Sequence, residues 1–422
     1  MKSTNRKNRV LCNALIATFF SIFFGFSASW AASFYVDKNA AGKKDGTSWA
    51  NAWTGFSEIN WNVIAPGDTV YISGGANSKT YNEGLIVKKS GSKGSPITIT
   101  RGKDSNHNGE VIIDGKTSVS VLIGINQKQY VNVSDMTLKN TTVSNGGRAV
   151  EIDASNNIVA ENFKISIKGR AGVFVQESSY ITVRGNRIET VDYVAQQTDG
   201  IYSQRNKNNI YDGNHIVINN SYADGHNDCI QSFTDQSTII RNNYAEQTSN
   251  KQSNAQGIFC TELSGTVQIY NNVIYMPNSY NSAIVTKKSP SGFHAKIFSN
   301  TVVGSKWGAI KVENDDGRAE IQNNIAWDYN GGSPLTYTGN NAGVHHNIFD
   351  SNPLLDSNFI PQKSSPAIDA GADLGSPYNK DKNGKYRPQA SAFDIGAYEV
   401  GAGDEAPADT PLPAPQNLRI IK

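Results

Sequence analysis

The sequence lacks a net charge of one sign, and it has no long apolar run that would suggest a membrane span. Its 39 Lys and Arg nearly balance its 37 Asp and Glu. We therefore expect no nucleic-acid partner, because no basic field is available to hold one. The apolar stretch from Leu15 to Phe26 is too short to span a membrane, so we expect no membrane insertion. Basic residues precede this stretch and small residues follow it, which predicts a signal peptide over 1–31 and a secreted protein, extracellular or periplasmic.

Cysteine is also scarce, with three in the whole chain. Cys12 falls in the predicted signal peptide, which leaves Cys229 and Cys260 in an exported chain, where a disulfide would be the first expectation. The repeat described next offsets these two by about three residues along a strand, near 10 Å, which is more than a disulfide spans. Both are therefore predicted to be packed free thiols.

What the sequence has in abundance is a repeated phrase: an asparagine, one residue, then an apolar or small residue. It begins at Asn162, where it is one residue longer than elsewhere, and at Asn186, Asn214, Asn243, Asn272, Asn300, Asn324 and Asn347. These positions lie 23 to 29 residues apart, which is the period of a solenoid coil. An apolar pair at alternate positions, such as Val150 and Ile152, recurs in each period and predicts a half-buried strand.

Such short strands cannot bury an apolar face alone, so each coil must stack on the next. The sequence therefore predicts an all-β fold, a right-handed parallel β-helix solenoid, with the asparagines bonded to one another along the axis. Trp49, Trp53, Phe56 and Ile59 recur at near-helical spacing and predict a short N-terminal capping helix over the first coil. The predicted divisions are a β-helix domain over 32–400, with a cap at about 33–115, central coils at about 116–350 and a closing segment at about 351–400, then a Pro-rich, linker-like tail over 401–422.

The outward positions of the aligned strands should form one ribbon of side chains, because successive coils are only about 4.8 Å apart. Asp199 and Asp228 fall in the same register on adjacent coils, and His226 lies beside them. When two carboxylates lie this close together, either the pKa of one of them rises or the pair binds a cation. Asp199 and Asp228 therefore suit acid/base chemistry or a calcium site. The alternative is that these Asp-Gly and Asn-Asp pairs only form turns.

Cationic side chains continue along the same predicted face, and a line of them beside paired carboxylates suits a sugar polymer that carries uronate or sulfate. The alternative is a solvated charged edge. The predicted catalytic residues are Asp199, Tyr202, His226, Asp228 and Lys287. The predicted substrate-binding residues are Arg148, Arg170, Gln204, Gln231, Gln256 and Lys311.

Four segments, one per coil, carry a resemblance to a known family. They are Thr198-Asp199-Gly200, Asn227-Asp228-Cys229, Ala255-Gln256-Gly257 and Ile284 to Lys287. In this order they resemble the active-site segments of polygalacturonase-type glycoside hydrolases, which read Asn-Thr-Asp, Asp-Asp-Cys, Gly-His-Gly and Arg-Ile-Lys. The resemblance implies that Asp199 and Asp228 are catalytic carboxylates and that Lys287 binds a substrate carboxylate. Asn227, Gln256 and Val285 depart from the pattern, at the positions of the family's general acid, histidine and arginine.

The Asp-Gly at Asp199 and the Asp one coil later also resemble the calcium site of β-helix pectate lyases. The first-coil segments around Tyr35, Gly67 and Pro96 are similar to those of many exported lyases and their relatives. This second resemblance implies a calcium ion that neutralises a uronate and a basic residue that removes the C5 proton.

An inverting hydrolase needs a protonated carboxylic acid and paired carboxyls about 6.5 to 9.5 Å apart, and Asn227 removes that proton donor. β-Elimination needs positive charge at the uronate, a base near C5 and a donor for the leaving oxygen. His226 or Lys287 can serve as the base and Tyr202 as the donor. The sequence therefore favours a monomeric polysaccharide lyase acting on an acidic polysaccharide. An inverting hydrolase, a C5-epimerase and a non-catalytic glycan-binding protein remain open.

Overall fold

The computed structural model describes residues 31–143, 146–191, 197–219, 226–248, 252–290, 292–313, 317–329, 332–338 and 342–401. Within these ranges the chain forms strands, turns and loops and no helix. No helix of the described chain could therefore cross a membrane. Almost all of the predicted signal peptide and tail lies outside the described residues.

Thirty-two short strands follow one another along the described part of the chain. They are β1 (Ser33–Val36), β2 (Thr69–Ile72), β3 (Ser78–Tyr81), β4 (Leu85–Ile86), β5 (Ile97–Arg101), β6 (Glu110–Asp114), β7 (Val121–Asn126), β8 (Gln129–Ser134), β9 (Thr137–Lys139), β10 (Arg148–Asp153), β11 (Asn156–Glu161), β12 (Lys164–Ile167), β13 (Ala171–Gln176), β14 (Ser179–Arg184), β15 (Arg187–Val191), β16 (Asp199–Gln204), β17 (Ile210–Asp212), β18 (His215–Asn219), β19 (Ile230–Phe233), β20 (Ile239–Arg241), β21 (Tyr244–Gln247), β22 (Ile258–Thr261), β23 (Thr266–Tyr270), β24 (Val273–Tyr275), β25 (Ile284–Lys287), β26 (His294–Phe298), β27 (Thr301–Val303), β28 (Gly308–Glu313), β29 (Arg318–Gln322), β30 (Ile325–Trp327), β31 (Ser333–Thr338) and β32 (Ala342–His345).

These strands form three parallel sheets, and each full coil contributes one strand to each sheet. Sheet A has 12 strands in the order β1-β2-β5-β8-β11-β14-β17-β20-β23-β26-β29-β32. Sheet B has 10, in the order β3-β6-β9-β12-β15-β18-β21-β24-β27-β30. Sheet C has 10, in the order β31-β28-β25-β22-β19-β16-β13-β10-β7-β4. The result is a parallel β-solenoid of the right-handed type, so the predicted architecture is confirmed.

The core is built from inward-facing files of side chains that repeat at the same register in every coil. In sheet C one such file runs through Val150, Val173, Ile201, Ile230, Ile258, Ile284 and Ile310. All of them are buried, and full burial of one such side chain contributes about 1.5 to 3 kcal/mol. Cys229 and Cys260 are buried free thiols, as predicted. Cys260 aligns with Ser232, three residues beyond Cys229.

The asparagine ladder forms as predicted from Asn186 to Asn347, with one correction at its start. Each side-chain amide donates to the carboxamide oxygen of the next coil at 2.9 to 3.0 Å. Asn162 is not part of the ladder, because Phe163 is the residue whose N–H meets Asn186. Asn162 occupies the preceding turn position with φ +58, a left-handed conformation that asparagine tolerates well.

Replacing Asn272 with alanine is expected to lower the free energy of unfolding by at least about 2 kcal/mol, because buried partners lose their hydrogen bonds. The Asn272 side chain accepts from Asn243 and donates to Ile240 and Asn300. Urea denaturation measures the loss. Asn62→Ala, at an exposed position, is the control and should change stability by less than about 0.5 kcal/mol. Equal stabilities of the two variants would contradict a structural role for the ladder.

The predicted capping helix is wrong, although three of its four apolar residues are buried as a cap requires. Trp53, Phe56 and Ile59 join the core, but the segment consists of turns and a bridge between Val36 and Trp53. Three of its N–H groups donate to side-chain carboxylates, and others donate to backbone carbonyls in turns. Glu83 accepts from the backbone of Phe56 and Ser57, and Glu58 accepts from Thr54. These contacts compete with the backbone bonds of a helix.

The closing segment folds back along the coils. Tyr378 packs edge-on against Tyr270 and Phe298 of sheet A. Arg387 and Glu399 form an ion pair whose side chains are 0% and 1% exposed. This segment therefore packs on the outside of adjacent coils at sheet A.

Candidate active site

The outward positions of sheet C form two files, as predicted. One file runs through Glu151, Phe174, Tyr202, Gln231, Phe259, Val285 and Lys311. The second runs through Asp153, Gln176, Gln204, Phe233, Thr261, Lys287 and Glu313. Residues nearly 30 positions apart thus become neighbours on one surface.

Asp199 and Asp228 lie on adjacent coils, but the expectation that both carboxylates face an open groove is not met. Both side chains are 0% exposed. One oxygen of Asp199 accepts from the backbone N–H of Asp228 at 2.9 Å, and the other forms an ion pair with Arg170. One oxygen of Asp228 accepts from the N–H of Gln256 at 2.8 Å. The other lies 3.2 Å from Nδ1 of His226, in a geometry short of a well-formed hydrogen bond.

Burial dominates the electrostatics of this pair. Loss of water and the neighbouring charge of Asp228 together raise the pKa of Asp199 to about 6, against the opposing effect of Arg170. The two carboxylates therefore lie behind the surface, where they hold Arg170 and His226 in place.

A calcium ion held between Asp199 and Asp228 does not fit this donor set. Three of the four carboxylate oxygens accept from backbone N–H groups or pair with Arg170, and the fourth, on Asp228, faces His226. Calcium takes six to eight oxygen ligands. Across the described part of the chain, no group of three or more His, Cys, Asp and Glu side chains is arranged to hold a metal.

Arginine and aromatic side chains alternate on the face next to Asp199. The guanidinium carbon of Arg170 lies 4.2 Å from the ring centre of Tyr202, and Tyr202 stacks on Phe174 at 5.1 Å. Arg148 lies 3.9 Å above Phe174 and pairs with Glu151. Partial burial raises the pKa of Tyr202, so its hydroxyl keeps its proton over a wide pH range.

His226 and Lys287 both contact the ring of Phe259. The His226 ring meets Phe259 edge-on at 5.1 Å, and the Lys287 ammonium lies 4.8 Å from the same ring centre. Nδ1 of His226 is buried, so the exposed 27% of this side chain belongs to its remaining atoms. The charge of Asp228 raises the pKa of His226, against burial and the nearby Lys287. This carboxylate–histidine pair makes the ring a stronger base.

The structure brings most of the predicted residues onto one face and gives some of them other roles. Gln256 contacts the site through its backbone, and its buried Oε1 has no protein partner among the described contacts. Oε1 of Gln231 is buried without a partner in the same way. Lys311 lies further along the face, 2.7 Å from Glu313. Asn227 is buried and accepts from the Thr198 backbone at 2.7 Å.

Phe174 and Phe259 were not predicted as site residues. Both are almost wholly buried beneath cations. Their outward strand positions beside Arg and Lys on neighbouring coils are the signal that identifies them.

No family model matches this sequence, and no curated protein matches it. Solved structures do share its architecture. One is pectate lyase Pel9A, with a TM-score of 0.60, 16% identity, and coverage of 88% of this chain and 97% of the lyase. Another is a rhamnogalacturonan lyase, with a TM-score of 0.52, 13% identity, and coverage of 76% and 88%. At these identities the similarity confirms the parallel β-helix fold.

Proposed function

We propose that this protein is a secreted, carbohydrate-active enzyme that cleaves an acidic, uronate-containing polysaccharide by β-elimination. The observation that carries the proposal is the contact between the partly exposed His226 and the buried Asp228 beside the outward face of sheet C, with Lys287 and Arg170 nearby. A base held by a buried carboxylate stands beside positive charge, which is what the reaction requires. The names of the two solved lyases agree with this reaction class.

Each step of the reaction has a residue on this face. His226 removes the C5 proton, the C4–oxygen bond breaks, and a double bond forms between C4 and C5. Lys287 and Arg170 stabilise the negative charge that grows on the uronate carboxylate in the transition state. Tyr202, whose raised pKa keeps it protonated, donates its proton to the leaving oxygen. His226 passes the C5 proton to solvent, and Tyr202 is reprotonated from solvent.

Hydrolysis suits the geometry less well. An inverting hydrolase needs one carboxyl at the leaving oxygen and another beside a water molecule. Asp199 and Asp228 are wholly buried and bonded to the protein. They therefore act as positioning residues for Arg170 and His226 in this proposal.

The test is incubation of the purified protein with pectate, alginate, glucuronan and sulfated polysaccharides, with and without a chelator. Ultraviolet absorbance of an unsaturated uronate and the number of reducing ends are followed together. The proposal expects both to rise on an acidic polymer, with the same rate in chelator. New ends without absorbance would indicate a hydrolase. C5 inversion without new ends would indicate an epimerase, and no change on any polymer would indicate a binding protein.

The pH dependence follows from the raised pKa of His226. The base works only when the ring is neutral, so kcat/KM should rise with pH through a pKa above the ordinary value of 6.5. Asp228→Asn removes the main cause of that shift, and the acidic limb of the profile should move to lower pH. The pH–rate profiles of both proteins measure this. An unmoved limb in the variant would contradict His226 as the base.

A further inference from the structure

A cleft of about 710 Å³ lies on sheet B, away from the face of sheet C described above. Its floor is one outward file of four successive rungs: Glu246, Tyr275, Val303 and Trp327. Three rung intervals of about 4.8 Å give the floor a length of about 14 Å. One wall is the first part of the closing segment, from Asn352 to Gln362. A β-bridge between Leu355 and Pro361 holds this part as a loop.

The lining of this cleft differs in charge from the site on sheet C. It contains the acidic residues Glu246, Asp328 and Asp356, and no Lys or Arg among its described residues. Aromatic rings also line it. Tyr244, Tyr275 and Trp327 come from sheet B, and Phe359 from the wall lies 5.2 Å from Tyr275 between ring centres. An acidic polymer would therefore be repelled from this cleft.

Two of the acidic residues, Glu246 and Asp356, are held as oriented hydrogen-bond acceptors. Nε2 of His215 lies 2.9 Å from Glu246, and Nδ1 of the same ring lies 2.8 Å from Arg187. Because arginine can only donate, Nδ1 accepts and the Nε2–H donates to Glu246. One oxygen of Asp356 accepts from the N–H groups of Asn358 and Ile360. These contacts offset part of the negative charge, so the cleft is a weak site for a cation.

We propose that this cleft binds an uncharged saccharide, independently of the reaction on sheet C. Aromatic rings offer apolar surface to the C–H face of a sugar. Glu246, Asp356, Asn352 and Gln362 offer acceptors and donors for its hydroxyl groups. The straight floor suits a short linear oligosaccharide that lies along the solenoid axis.

Isothermal titration calorimetry of the full chain tests this proposal. The probes are neutral cello-, manno- and xylo-oligosaccharides, an oligogalacturonate, and choline as a cation. A neutral oligosaccharide should bind, and Trp327→Ala should weaken it about tenfold. Glu246→Gln, which keeps the side-chain volume, should also weaken it. Trp307→Ala is the matched control, because Trp307 is exposed at 66% and lies outside the cleft.

The same titration separates this proposal from the proposed function. His226→Ala should keep the neutral oligosaccharide affinity, whatever its effect on cleavage. The proposal is overturned if no neutral oligosaccharide binds, if choline or the oligogalacturonate binds in the cleft instead, or if Trp327→Ala and Trp307→Ala bind equally well.

Discussion

Replacing His226 with alanine is expected to lower kcat/KM on an acidic polysaccharide about 10²- to 10⁴-fold, the usual contribution of a general base. The ring is the exposed member of a pair whose other member, Asp228, is wholly buried. Without the His226 ring, the remaining groups near Phe259 supply positive charge, and none of them is a neutral base. The initial rate of ultraviolet absorbance increase measures the change.

His294→Ala provides the matched control for this variant. His294 also pairs with a carboxylate, 3.0 Å from Glu320, and is 21% exposed, but it lies on sheet A. The His294→Ala variant should retain the full elimination rate. His226→Gln serves as a second variant of similar size, and thermal unfolding verifies that each protein is folded. A folded His226→Ala protein with undiminished activity would rule out the proposed base.

Replacing Glu399 with alanine is expected to lower the free energy of unfolding by about 3 to 5 kcal/mol, because the charge of Arg387 then remains buried without its partner. Arg387 also donates to the backbone oxygens of Asp394 and Gly396 at 2.8 Å. Glu399 accepts from the backbone of Asp394 and Gln389. The variant therefore removes several bonds from the closing segment at once, and urea denaturation measures the loss.

An exposed ion pair supplies the comparison for Glu399→Ala. Glu161 pairs with Arg184, whose side chain is 53% exposed. Water can solvate Arg184 when its partner is lost, so Glu161→Ala should cost less than about 1 kcal/mol. If Glu399→Ala costs no more than Glu161→Ala, the closing segment contributes little to the stability of the solenoid.

Sequence periodicity predicts the solenoid well, because stacking repeats the same environment every coil. The asparagine spacing predicts the ladder from Asn186 onward, and the alternating pattern predicts the outward files of sheet C. Prediction from periodicity fails where the chain departs from the repeat. Phe163 replaces asparagine in one coil. In the first-coil segment, three N–H groups donate to Glu58 and Glu83.

The position of the candidate site can be predicted from the sequence, but the burial of its side chains cannot. Register alone brings Asp199, Asp228 and His226 together. It does not tell whether a carboxylate at the start of a strand faces solvent or bonds to the N–H of the next coil, as Asp199 and Asp228 do. The cleft on sheet B was not predicted, because its wall comes from the closing segment, which lies outside the repeat.

Mass spectrometry of the products formed from an acidic polysaccharide distinguishes elimination from hydrolysis. Elimination leaves an unsaturated non-reducing end that is one water lighter than a hydrolytic end. We expect these lighter ends with the native protein and with His294→Ala, and about 10²- to 10⁴-fold fewer with His226→Ala. Products carrying the added water, formed equally well by the His226 variant, would contradict this expectation.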